Sequence, residues 1–244
     1  AKAGCIPFVS GFSAFCSMRA CDQLHTDICY QKANVKIVAT HSGTSFGQAG
    51  STHHAIADIA ITRALPNLTV IVPADGYETA NAVNAAYNTE GPFYIRINRG
   101  FDLVLYDNMD YGFEVGKAVV IKDGTDIVIF ANGVCVAEAM GAADKLAADG
   151  ISAAVVNVHT VKPIDKETVL EFAKKTNRVF TVEEHSVIGG LGSAVCDVLA
   201  EEYPVKVTKI GVYDRFGKSG PASALMHEFQ LDAEGIYNKI KGWV

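Results

Sequence analysis

The sequence has no apolar run approaching the roughly 18–20 residues needed to cross a bilayer, so no membrane-spanning helix is expected. It has six cysteines (Cys5, Cys16, Cys21, Cys29, Cys135 and Cys196) but no Cys-x-x-Cys pair. A chain of 244 residues buries enough surface to stand without disulfide staples, so a reducing cytoplasm is the expected compartment. A basic face is missing too. Lys and Arg are scattered singly under a net charge of −6, which argues against a nucleic-acid partner and leaves any anionic ligand to a local cluster. There is no internal repeat and no low-complexity segment. The apolar stretch 5–15 could pass for a secretion signal, but Pro7 and Gly11 interrupt it and no basic segment precedes it. Beginning at Ala1 without Met, the chain is expected to be processed or truncated.

Hydrophobic residues make up 49% and charged residues 20%, the composition of a packed globular protein. Cys21, His25 and Cys29 fall at helical spacing on one face. Without the paired short-spaced cysteines of zinc sites, they read as small buried hydrophobes beside a tolerated His, and no metal site is expected.

Short β-branched strands alternate with helices throughout. Strands are expected at 6–10, 35–40, 69–72 and 93–98. The helices between them are expected at 13–33, 52–65 and 76–88, the last capped by Asp75. The strands are apolar on both faces, the pattern of a parallel sheet covered by helices. Polar punctuation between 101 and 114 reads as a linker. A second series then follows, with strands at 126–131, 151–158, 178–182 and 205–210. Its helices are expected at 134–149, 166–176, 190–202 and the C-terminus. The fold class is therefore α/β, with mostly parallel sheets in two domains, 1–100 and 115–244.

Ligands of open α/β sheets bind at the carboxyl ends of strands. The loop 41–54 stands there, and Gly43, Gly47 and Gly50 let its backbone approach a ligand closely. His53 and His54 are expected at the N-terminus of the following helix, where imidazole stays neutral and can exchange protons. A hydrated loop with a structural His explains the composition equally well. Arg96 and Arg99 end a strand and should project to opposite faces, one to a crevice and one to a surface pair; an Arg fork suits phosphate. Phe12 and Phe15 share one side of a helix start, a pattern commoner in cores than in cofactor sites. Gly189, Gly190 and Gly192 fall short of a dinucleotide fingerprint and read as a tight turn with close helix packing.

Taken in order, these segments resemble the transketolase family. Residues 40–54 (THSGTSFGQAGSTHH) resemble its active-site segment, in which Thr-His precedes a Gly-rich loop and a second Thr-His. Residues 4–23, 63–67, 73–75 and 93–99 are similar to the rest of its pyrimidine-binding domain. Residues 161–165, 181–192 (TVEEHSVIGGLG) and 214–217 are similar to its C-terminal domain. The likeness spans the whole chain and is nearest the C-terminal subunit of split transketolases, with 1-deoxyxylulose-5-phosphate synthase as a near relative.

The resemblance implies thiamine diphosphate as cofactor and transfer of a two-carbon ketol unit between sugar phosphates. It implies a partner subunit carrying the diphosphate-binding domain and the metal (Mg or Ca), in a homodimer or heterotetramer. Phe12 and Phe15 match the aromatic wall around the aminopyrimidine, and Met18 stands where a third aromatic is usual. His53 matches a catalytic proton relay facing the reacting carbon. His41 and Arg99 match groups gripping the sugar phosphate, His41 sharing in catalysis. Ala49 replaces an Asp that contacts a substrate hydroxyl, which bears on sugar choice. The family's catalytic Glu belongs upstream of Ala1, so the piece alone is expected to be inactive. A pyruvate-using synthase and a non-catalytic assembly subunit are the alternative readings.

Overall fold

The computed structural model describes residues 1–99 and 104–243. Gly100, residues 101–103 of the expected linker, and Val244 lie outside them. Two five-stranded sheets form the frame. The first orders β1 (Phe8–Phe12), β2 (Lys36–Thr40), β4 (Phe93–Arg96), β3 (Thr69–Ile71) and β8 (Thr160–Lys162) side by side. All pair in parallel except β8, which runs antiparallel to β3. The second orders β10 (Val207–Val212), β9 (Val179–Ser186), β6 (Ile127–Ala131), β7 (Ala153–Asn157) and β5 (Val119–Lys122). Here only the edge strand β5 is antiparallel.

Every residue of β6 and β7 is buried, because helices cover both faces of their sheet. On one side pack α4 (Cys135–Ala148), α7 (Ala222–Glu228) and α8 (Ala233–Lys241). On the other pack α5 (Lys166–Thr176) and α6 (Leu191–Glu202). In the first sheet, α3 (Gly76–Asn88) packs Ala82 and Ala86 onto Ile71, Phe93 and Ile95. Asp75 caps α3 as expected, accepting from the Glu78 N–H at 2.8 Å. Among the described residues no helix is long and apolar enough to cross a membrane.

The chain departs from expectation in three places. The helix expected over 13–33 is a broken run: π-helical Phe15–Arg19, a short α1 (Cys21–Gln23), and π-helical Leu24–Cys29. The Ser17 and Thr26 hydroxyls donate back to the carbonyls of Ser13 and Asp22, contacts that bend and widen a helix. His25 is exposed while Cys29 packs in the core. Next, the helix expected from Thr52 starts only at Asp58 (α2, Asp58–Ala64). The Ala55 carbonyl already accepts from the Gly43 N–H and the Arg96 Nη2, each at 3.0 Å, so that stretch is tied to its neighbours instead of coiling. Finally, β5 and β8 were not foreseen; both are short antiparallel edge strands without a clear apolar period. β8 comes from the second half of the sequence yet completes the first sheet, so the halves share a backbone hydrogen-bond ladder.

Candidate active site

Register brings the candidate residues together. Phe12 lies beside Thr40, and Ala39 beside Arg96, so β1, β2 and β4 end on one line. The loops carrying Phe15, His41 to His53, and Arg99 leave the sheet from that line. The Phe12 ring stands 4.4 Å from His41, 4.9 Å from Phe46, 6.0 Å from Phe15 and 6.3 Å from His53, centre to centre. Phe15 lies 5.2 Å from His53, and the Arg99 Nη1 donates to His41 Nε2 at 3.2 Å. Phe12, Phe15, His41, His53 and Arg99 therefore meet in one crevice. Met18 lies at its outer side, 61% exposed.

The hydrogen bonds fix the state of His41. A guanidinium can only donate, so Nε2 must accept and the ring proton sits on Nδ1. That proton faces the Thr40 hydroxyl at 2.8 Å, which donates onward to the Gly11 carbonyl. Burial, then the Arg99 charge, hold the His41 pKa below the usual imidazole value. The residue is also held at φ +57°, a left-handed backbone that a non-glycine adopts at a cost and often at functional sites. His53 Nδ1 pairs with the Thr52 hydroxyl at 2.9 Å, and Nε2 has no partner among the described residues.

Several expectations need correction. His53 and His54 do not cap a helix; they belong to a turn closed by the His53 N–H on the Gly50 carbonyl. His54 is buried with both ring nitrogens unpartnered, against Gly217, where a Cβ would fall 2.3 Å from its Nδ1. Arg96 makes no surface pair. It is fully buried, its Nε donating to Asp58 at 2.8 Å. The glycines of 189–192 do pack closely: Gly190 has no room for a Cβ beside Glu183.

Sequence reasoning passed over Phe46, although an aromatic inside a Gly-rich polar loop was a signal. It also passed over Glu183 and Glu184, neighbours on β9 that point to opposite faces. Glu183 accepts from the Leu191 and Gly192 N–H groups and so caps α6. Glu184 reaches the first domain: Oε1 accepts from the Thr44 N–H and hydroxyl, each at 2.7 Å, and Oε2 accepts from Asn98 Nδ2. Burial pushes its pKa up to about 7, with Arg96 and the Thr44 donors pulling the other way.

A cavity of about 540 Å³ adjoins the crevice; Phe15, Met18, Ile56, Val212 and Phe216 make its lining mostly apolar, and Arg19, Asp214 and Arg215 bring charge to it. Its walls suit a flat, largely apolar ring carrying a few polar atoms. Among the described residues no three His, Cys, Asp or Glu side chains cluster as a metal site.

Comparison with known proteins supplies the class. The pyrimidine-binding domain of transketolase matches residues 1–101, and the transketolase C-terminal domain matches 116–236. A chain of Methanocaldococcus jannaschii assigned as a transketolase C-terminal section is 43% identical over 98% of this chain and 76% of its own length. The 6-deoxy-6-sulfo-D-fructose transketolase subunit SqwH of Clostridium sp. (strain MSTE9) is 43% identical over 97% of this chain and 73% of its own. A solved split-gene transketolase, described as an inactive beta4 tetramer, superimposes with a TM-score of 0.92 at 45% identity, covering 99% of this chain and 77% of that one. The chain belongs to the transketolase family, whose enzymes use thiamine diphosphate.

Proposed function

We propose that the chain forms the pyrimidine and C-terminal domains of a transketolase that moves a two-carbon ketol unit between sugars ending in an anionic group. The observation that carries this reading is the convergence of Phe12, Phe15, His41, His53 and Arg99 on one crevice. The boundaries proposed for the two domains are 1–100 and 115–244, with a linker between them.

When bound, thiamine diphosphate supplies the nucleophilic carbon and the electron sink that such a transfer needs. Phe12, Phe15 and Met18 would hold its aminopyrimidine, the two phenyl rings offering an apolar face that disfavours added charge. A partner subunit with a diphosphate-binding domain holds the diphosphate and its metal, Mg or Ca. His53, its Nδ1 paired with the Thr52 hydroxyl, carries protons through Nε2 to and from the substrate hydroxyl and carbonyl oxygens. Arg99 grips the terminal anion, and neutral His41 donates no second charge but orients the guanidinium through Nε2. The same pair serves a terminal phosphate or a terminal sulfonate, the latter suggested by the sulfosugar in the name of SqwH. Ala49 offers no hydrogen bond to a substrate hydroxyl, so that position leaves the sugar loosely specified.

The test mixes the chain and a subunit carrying the diphosphate-binding domain. Ketose phosphates, a sulfonated ketose and pyruvate are offered as donors with an aldose phosphate as acceptor. Ketol transfer supports the reading; no transfer from any ketose refutes it, and turnover of pyruvate alone favours the synthase.

A further inference from the structure

The crevice pair His41 and Arg99 comes from two different loops: His41 lies between the end of β2 and the bridges of Ser42 and Gly43 to Ala55, and Arg99 lies three residues beyond β4. We infer that Glu184, from the C-terminal domain, is the positioning residue that clamps these two loops and thereby sets the contact between His41 and Arg99. One carboxylate oxygen binds the Thr44 N–H and hydroxyl, three residues beyond His41. The other binds the side chain of Asn98, immediately before Arg99. The carboxylate is 2% exposed and its backbone carbonyl accepts from Arg96 Nη2 at 3.0 Å, so the clamp is itself anchored. Space around it is specific. A Cβ at Gly43 would fall 2.3 Å from the Glu184 carboxyl, so the loop can approach only because glycine stands there. Direct contacts join the two segments as well: the Ile97 N–H to the Ala39 carbonyl at 2.8 Å at the strand ends, then the Ser42 N–H to the Ile97 carbonyl at 3.2 Å and the Arg99 N–H to the Ser45 hydroxyl at 3.3 Å; Glu184 adds three bonds to these from outside both loops.

The clamp works by reach, and this separates it from a role for the charge. Glu184→Gln keeps the length. The buried Asn98 Oδ1 has no partner, so its amide can turn over and accept from the new Nε2 while Thr44 still donates to Oε1. Glu184→Asp keeps the charge but is one methylene shorter and cannot span both loops. That a loosened pair harms sugar binding rests on the proposed function; the clamp itself does not.

The test is therefore made first without turnover. The His41 ring is titrated by NMR in each background, with and without Arg99→Leu. In wild type, removing Arg99 raises the His41 pKa, because the guanidinium lowers it. The same upward shift is expected in Glu184→Gln and its loss in Glu184→Asp. Should Glu184→Asp fail to fold, Asn98→Ala severs one arm outright and must abolish the shift, whereas Thr44→Val removes the hydroxyl but leaves the Thr44 N–H on Oε1 and should only reduce it. A shift that survives Glu184→Asp, or is lost equally in Glu184→Gln, overturns the clamp. In the assembled enzyme, Glu184→Asp should lose about 100-fold in kcat/KM from misplacement of the pair, with a raised KM for the anionic sugar, while Glu184→Gln stays near wild type. An enzyme inactive in its wild-type form would sink the proposed function and leave the titration result standing.

Discussion

Replacing Asp58 with Ala should be the most damaging single change at the base of the crevice. Asp58 Oδ2 accepts from Arg96 Nε at 2.8 Å and from the Tyr94 hydroxyl at 3.0 Å, and the ion pair is 1% and 0% exposed at its two side chains. Truncation leaves a buried guanidinium hydrogen-bonded to the carbonyls of Ala55 and Glu184, with the partly protonated Glu184 carboxyl as its remaining acidic neighbour. Breaking a buried pair in this way costs about 3–5 kcal/mol, because the surviving charge is incompletely compensated. For a chain of this size each kcal/mol lowers the melting temperature by about 2–4 °C, so a fall of about 6–20 °C is expected by calorimetry. Adding Arg96→Met removes the stranded charge and should recover much of the loss. By contrast, Lys241→Ala breaks a pair whose partners are 53% and 34% exposed and should cost under about 1 kcal/mol. A single variant melting within about 2 °C of wild type, below the change expected for even 1 kcal/mol, would refute the reasoning. So would a double variant no better than the single.

Other outcomes follow from the same geometry. His53→Ala should lower kcat by about 10²–10⁴-fold, the usual share of general acid–base catalysis, with the melting temperature unchanged. Gly43→Ala, at φ +64° with its Cβ 2.3 Å from Glu184, should cost at least the 1–2 kcal/mol of a left-handed residue, read as a lower melting temperature. Because burial and Arg99 depress the His41 pKa, the acid limb of kcat/KM should lie below about 6.5, the ordinary imidazole value. Arg99→Leu should move that limb upward; a wild-type limb at or above 6.5 contradicts the assignment. Glu184 titrates near 7 when folded against about 4.3 when unfolded. The stability it contributes is thus present below the carboxyl range and lost as pH rises to 7, roughly 4 kcal/mol in all. Glu184→Gln should flatten that slope in melting experiments.

Much of this architecture could be read from the sequence because its signals were local. The apolar runs of β6 and β7 are buried on both faces, and the Asp75 cap of α3 is a three-residue affair. Local pattern failed where distant atoms decided the conformation. Nothing in residues 52–57 forbids a helix; the Ala55 carbonyl is claimed by Gly43 and by Arg96 from another strand. Likewise, β4 ends at Arg96, so strand alternation does not reach Arg99, and only the fold shows that Asp58 waits in the interior for Arg96. Of the residues proposed for the site, Phe12, Phe15, His41, His53 and Arg99 were singled out through a resemblance to a family, and what the fold adds is that they lie together. Glu184 was visible as part of a motif but not as a neighbour of Thr44, 140 positions away.

That separation bears on why the C-terminal domain is needed at all, since none of Phe12, Phe15, His41, His53 and Arg99 lies in it. β9 carries its two acidic residues back to back. Glu183 fixes the start of α6, and Arg63 donates to the Gly189 carbonyl in the turn ahead of that helix at 2.7 Å. Glu184 turns the other way and enters the crevice wall. β8 then lends a strand to the first sheet, with Lys162 donating to the Arg63 carbonyl beside it. The second domain thus acts on the crevice as a rigid support: its contribution is the fixed position of one carboxylate and one strand. A pyrimidine domain folded alone would keep its aromatic wall, because those rings pack on each other. It would keep the β2–β4 register as well, but lose the tie that Glu184 adds beyond the strand ends, from Thr44 to Asn98.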